Sequence, residues 1–305
     1  MATTTTSFGV LVNPSDVATD DVVLDTTYYM SPPTPGMTGL DAFGASRFGA
    51  ANTYHADIDV WSSPGDAPHT FPTPTTLGPL LSAVGIGEEH KEGGDAKVVV
   101  YDRHSVFAAP RIWFILRAYG FDARILSTTL DGVDQAQWVD ASPLDGDVYA
   151  ARMEANTEGA GEVALEVNQA LLAPHEDVAL LAEKASDDVV VVDARSAGRF
   201  SGQDPEPRPE IPSGAMPNAV SLPYTELLVE DGTAYKPESD LNALISKVVG
   251  REGRNIISSC GSGVTACVLA AAAAHVGYPA QLRVYDDSWT GWQLRKMAAQ
   301  DTVSE

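Results

Sequence analysis

The sequence predicts an α/β fold in two tandem units, each a parallel sheet flanked by helices. Three observations carry this expectation. β-branched apolar runs of strand length recur along the chain, helical runs follow two of them, and the same order of elements returns after roughly 155 residues. Strands that alternate with helices in this way assemble into parallel sheets.

Taken in order, residues 22–27 ("VVLDTT") read as a short buried strand and 98–102 ("VVVYD") as another, followed by an amphipathic helix over 109–121 ("APRIWFILRAYGF"). The second half repeats the pattern. Residues 189–195 ("VVVVDAR") and 255–260 ("NIISSC") read as strands, and 263–278 ("GVTACVLAAAAAHVGY") as a helix. Gly120 and Gly277 each end a helix. The join falls within 140–170, where "SPLDGD" and "ANTEGAGE" keep no apolar period, so the units are expected at 1–150 and 165–305. Pro-rich loops at 30–38, 62–74 and 201–217 are long enough to be functional.

Composition narrows the function. With 305 residues and 44% hydrophobic content the chain can build two cores. A formal charge of −23 repels nucleic acid and anionic membrane, so an anionic substrate would need a local island of arginine. The longest apolar run, Val264 to Ala274, falls well short of the ~20 residues that span a bilayer. No basic residue precedes Arg47, so no secretory or transit signal is expected. The only cysteines, Cys260 and Cys267, would lie roughly 10 Å apart along one helix, beyond disulfide reach. Free thiols predict a reducing, cytoplasmic location.

Cys260 is the chemical centre of the sequence. It stands at the carboxyl end of a strand, in the turn that opens a helix, where open α/β sheets bind ligands. The amides of Gly261, Ser262, Gly263, Val264 and Thr265 can point inward there, and with the helix dipole they stabilise a thiolate. Cys267, on the Ala-rich face, is expected to pack. A phosphatase would need an arginine six positions after its cysteine; the residue there is Ala266, and the loop holds no cation.

The heptapeptide "CGSGVTA" (260–266), with "DARSAGRF" (193–200), "DPEPR" (204–208) and "DDSWTGW" (286–292), resembles the two-domain rhodanese superfamily. "DID" (57–59), "PH" (68–69) and "APRIWFILRAYG" (109–120) extend the likeness over the first half. The resemblance implies two tandem rhodanese-like domains and a ping-pong sulfur transfer. Sulfur would pass from 3-mercaptopyruvate through a Cys260 persulfide to a small thiol or a thioredoxin-like protein, with no metal or organic cofactor. It assigns a proton relay to Ser262, His69 and Asp59, and substrate-carboxylate binding to Arg199 and Arg208. Arg195 is expected to pair with nearby carboxylates. Thiosulfate as donor, and persulfide delivery to a protein acceptor, are the alternatives; the neutral loop speaks against a doubly charged donor. The first unit, with Asp102 or Arg103 at the place of Cys260, would serve as a wall of the cleft.

Overall fold

The computed structural model describes residues 9–48, 52–134, 138–140, 163–251 and 253–301. The first half runs β1 (Leu11–Val12), β2 (Val22–Asp25), α1 (Gly39–Ala45), β3 (Ser46–Phe48), β4 (Thr53–His55), α2 (Pro74–Ala83), β5 (Val98–Tyr101), α3 (Ala109–Ala118), β6 (Ala123–Leu126) and β7 (Trp138–Asp140). The second runs α4 (His175–Glu183), β8 (Val189–Asp193), α5 (Ala197–Ser201), β9 (Val220–Ser221), α6 (Glu238–Val249), β10 (Asn255–Ser259), α7 (Ala266–His275), β11 (Leu282–Val284) and α8 (Ser288–Asp301).

Two sheets result, each parallel throughout. The first has the order β1-β6-β5-β2-β4 and the second β11-β10-β8-β9; β3 and β7 form a separate antiparallel pair. The repeat is thus spatial as well as sequential, with β2, β4, β5 and β6 answering to β8, β9, β10 and β11. The place of β1 is taken in the second sheet by a single parallel bridge from Leu172 to Val284. All four residues of β2 and of β5 are buried, as a strand covered on both faces requires.

The run expected to be amphipathic at 109–121 is a helix buried all round. In α3 every residue but Arg117 is covered, and in α7 Ala266 through Ala273 are covered. The cause is that α3 and α7 pack on each other where the halves meet, so neither keeps a solvent face. Both end as expected, two residues before a glycine of positive φ, Gly120 (81°) and Gly277 (63°). One apolar core therefore includes Leu24, Val98 and Ile112 from the first half and Val190, Ile256 and Leu269 from the second.

Most of the expected join, 141–162, lies outside the described residues. The chain re-enters against the first half, where the Asn168 amide donates to Ala118 O at 2.8 Å, and reaches the second at Ala173, whose amide donates to Val284 O at 2.9 Å. Among the described residues no helix is long and apolar enough to cross a membrane.

Candidate active site

Cys260 is the first residue after β10, as Asp102 is after β5, so Asp102 and not Arg103 holds its place in the first half. The loop between β10 and α7 has its carbonyls tied back. Cys260 O and Gly261 O accept from the amides of Trp289 and Thr290 in the first turn of α8, each at 2.9 Å. Gly263 O accepts from Cys267 Sγ at 3.2 Å and from Arg111 Nη1 at 3.5 Å. Every described peptide is trans, and in a trans peptide the N–H points opposite to the preceding carbonyl. The N–H groups of Gly261 and Ser262 therefore face away from α8, and these two, Val264 and Thr265 donate to no group among the described residues. The start of a ten-residue helix reinforces them.

Gly263 departs from expectation. Its N–H does not face the cleft but donates to Ser288 Oγ at 3.1 Å, beside the Cys260 amide at 3.0 Å. Ser288 is buried, has φ 50°, and brings its hydroxyl within 4.0 Å of Cys260 Sγ. Gly263 itself has φ 78°, and a Cβ there would stand 2.9 Å from Asp286 O and 3.1 Å from Arg111 Nη1. Cys260, at the place where a ligand was expected to bind, is only 2% exposed and belongs to the apolar cluster that also includes Val264 and Cys267. Cys267 is fully buried, and burial pushes its thiol up to about 12. Both thiols are free.

From the first half comes a chain of polar groups. His69 Nδ1 lies 2.8 Å from Ser262 Oγ, and His69 Nε2 lies 3.0 Å from Asp59 Oδ1. The imidazole is 9% exposed and the carboxylate 60%. Burial lowers the His69 pKa from 6.5; Asp59 opposes this, while Arg111 and Arg208 add to it. A neutral ring then donates from Nε2 to Asp59 and accepts the Ser262 hydroxyl proton at Nδ1. His69 has φ 57°, a conformation that costs a non-glycine residue on the order of 1–3 kcal/mol. Arg111, with no exposed surface, holds it there: Nη2 donates to His69 O at 2.6 Å and pairs with Asp286 Oδ1 at 2.7 Å. Asp286 Oδ2 in turn accepts the Phe71 amide at 2.7 Å.

The arginines divide into paired and unpaired. Arg199, on α5, is held by Glu206 through Nη2 at 2.5 Å and Nε at 3.2 Å. It lies over the loop, since a Cβ on Gly261 would stand 2.8 Å from Arg199 Nη2. Glycine is what allows that approach. Arg195 is fully buried between Asp193 at 2.6 Å and Glu206 at 2.7 Å, with its guanidinium over the Trp289 ring. Arg208 is half-buried, bears electrostatically on His69 and Tyr28, and has no ion pair among the described residues.

Sequence reasoning brought Cys260, Ser262, His69, Asp59 and Arg199 to one place, but it missed Ser288, Arg111, Asp286 and Glu206. Ser288 and Asp286 lie in the motif "DDSWTGW", and Glu206 in "DPEPR". A lone arginine inside the otherwise apolar run "APRIWFIL" was the available signal for Arg111. Tyr28 is a further neighbour, its ring edge-on to His69 at 6.0 Å.

Amides without a partner, the chain Ser262–His69–Asp59 and the guanidinium of Arg199 thus gather around Cys260 at the carboxyl end of a parallel sheet. Fold and site together define a rhodanese-type protein with a single cysteine centre. The Rhodanese-like domain family model matches residues 177–295. The probable 3-mercaptopyruvate sulfurtransferase of Schizosaccharomyces pombe is 31% identical over 94% of this chain and 91% of its own. The 3-mercaptopyruvate sulfurtransferase of Escherichia coli K12 is 32% identical over 75% and 74%. The crystal structure of the Tum1 protein of Saccharomyces cerevisiae superposes with a TM-score of 0.77 at 26% identity, covering 95% of this chain and 96% of that one. The chain belongs to the two-domain sulfurtransferases of the rhodanese superfamily.

Proposed function

We propose that the protein transfers sulfur from 3-mercaptopyruvate to a thiol through a persulfide on Cys260. The Cys260 thiolate attacks the donor sulfur; the S–S bond forms, the C–S bond breaks, and its electron pair leaves on pyruvate as the enolate. Neutral His69, oriented by Asp59, first takes the donor thiol proton through the Ser262 hydroxyl, and the same relay returns that proton to the enolate carbon, so that pyruvate leaves and the outer sulfur stays on Cys260 as the persulfide anion. The amides of Gly261, Ser262, Val264 and Thr265 hold the sulfur anion, and Arg199 and Arg208 take the donor carboxylate. An acceptor thiolate, from a small thiol or a thioredoxin-like protein, then attacks the outer sulfur and releases Cys260. No further group is required, because the cysteine is itself the carrier. The catalytic cysteine belongs to the unit at 165–305, with the unit at 1–150 supplying His69, Asp59 and one wall. Two free thiols favour a reducing compartment such as the cytoplasm.

The observation that carries this reading is the 2.8 Å contact of His69 with Ser262, two residues from the cysteine and from opposite halves of the chain. Pyruvate release from 3-mercaptopyruvate in the presence of a thiol tests it. Cys260→Ser is expected to cut turnover by about a thousandfold or more. Retained turnover would assign the nucleophile elsewhere.

A further inference from the structure

Around the cysteine loop each cation but one already has a carboxylate. Arg111 is matched by Asp286 at 2.7 Å, Arg195 by Asp193 at 2.6 Å, and Arg199 by Glu206 at 2.5 Å. The Glu206 side chain is 2% exposed, so its charge is scarcely screened by water. It occupies Nε and one N–H of Nη2 of Arg199, the nitrogen that lies over Gly261, and leaves Nη1 without a partner among the described residues. Arg199 can thus hydrogen-bond a donor while contributing little net charge. Of these four arginines, Arg208 alone has no ion pair among the described residues.

From this arrangement we infer that Glu206 is a specificity-determining residue, which tunes the cleft to a sulfur donor with one negative charge and against one with two. The inference rests on the sulfur-transfer reading above and deepens it. Its logic is arithmetic. An extra unit of positive charge beside the loop stabilises a dianion by about twice as much as a monoanion at the same place. Glu206→Gln keeps the shape and a hydrogen-bond acceptor for the two arginines while raising the local charge by one.

The experiment compares kcat/KM for thiosulfate and for 3-mercaptopyruvate in wild type and in Glu206→Gln. The ratio of thiosulfate to 3-mercaptopyruvate is expected to rise about tenfold in the variant. If both donors change by the same factor, Glu206 serves structure alone and the inference falls. Wild-type turnover of 3-mercaptopyruvate in the same assay tests the underlying reading separately, since its absence would remove that donor whatever the variant does. Should Glu206→Gln fail to fold, a monoanionic organic thiosulfonate compared with thiosulfate on the wild-type protein tests the charge rule with sulfane donors that differ by one charge. The monoanion is expected to show about tenfold higher kcat/KM. Equal use of the two would overturn the inference.

Discussion

His69 shows how one residue can be strained, buried and useful at once. Its left-handed backbone is fixed by Arg111, and its ring bridges Asp59 to Ser262. Burial disfavours the charged form, so the ring stays neutral down through pH 6.5 and protonates only below it. A protonated ring cannot accept from Ser262, which puts the acid limb of kcat/KM below pH 6.5. A limb at or above that value would contradict the role given to burial. The same shift has a stability consequence. Between the folded and unfolded pKa values the unfolded chain binds more protons, so the contribution of His69 is full above pH 6.5 and is lost as the pH falls below it. His69→Ala is expected to lower kcat by roughly 10²- to 10⁴-fold, measured at pH 7.5.

At the scale of elements, the two strand-loop-helix units explain each other. After β5 the Asp102 carboxylate accepts the amides of Phe107 at 2.7 Å, Ala108 at 3.1 Å and Ala109 at 3.0 Å. Burial pushes Asp102 up to about 7, against these amides and Thr26, which favour the charged form. The first half thus shows what this turn does with an anion: it surrounds it with N–H groups. After β10 the corresponding side chain is a thiol. Gly263 lets the second loop close, and Gly263→Ala places a Cβ against Asp286 and Arg111 at positive φ. A loss of about 1–2 kcal/mol in unfolding free energy, measured by denaturant titration, is expected, with a parallel fall in kcat. Unchanged stability would show that the neighbours yield freely. Strands β2, β5, β8 and β10 and the cysteine turn were legible because apolar β-branched runs and the glycines mark them locally. Ser288 was not, since its contact with Cys260 joins separate segments, and Glu206 was not, since its pairing with Arg199 and Arg195 depends on how the intervening Pro-rich loop turns back. For the same reason α3 read as amphipathic: its second apolar surface exists only once α7 covers it.

Over the whole molecule, one core and one buried clamp join the halves. Apolar residues of both sheets share a cluster, and Arg111 on α3 reaches Asp286, ahead of α8, at 2.7 Å. Calorimetry is therefore expected to show a single transition rather than two, and two resolved peaks would contradict the shared core. Arg111→Gln leaves Asp286 without its cation and frees the His69 turn, at a cost of about 3–5 kcal/mol. Burial has a further consequence for catalysis. Cys267 is fully buried with its thiol pushed up to about 12, so it offers no thiolate to compete with Cys260. Transfer should therefore mark one atom. Mass spectrometry of the peptides after exposure to 3-mercaptopyruvate, without an acceptor, is expected to find one added sulfur on the peptide containing Cys260 and none on Cys267. Pyruvate formed while Cys260 stays unmodified, or sulfur carried on another residue, would contradict a persulfide at this site.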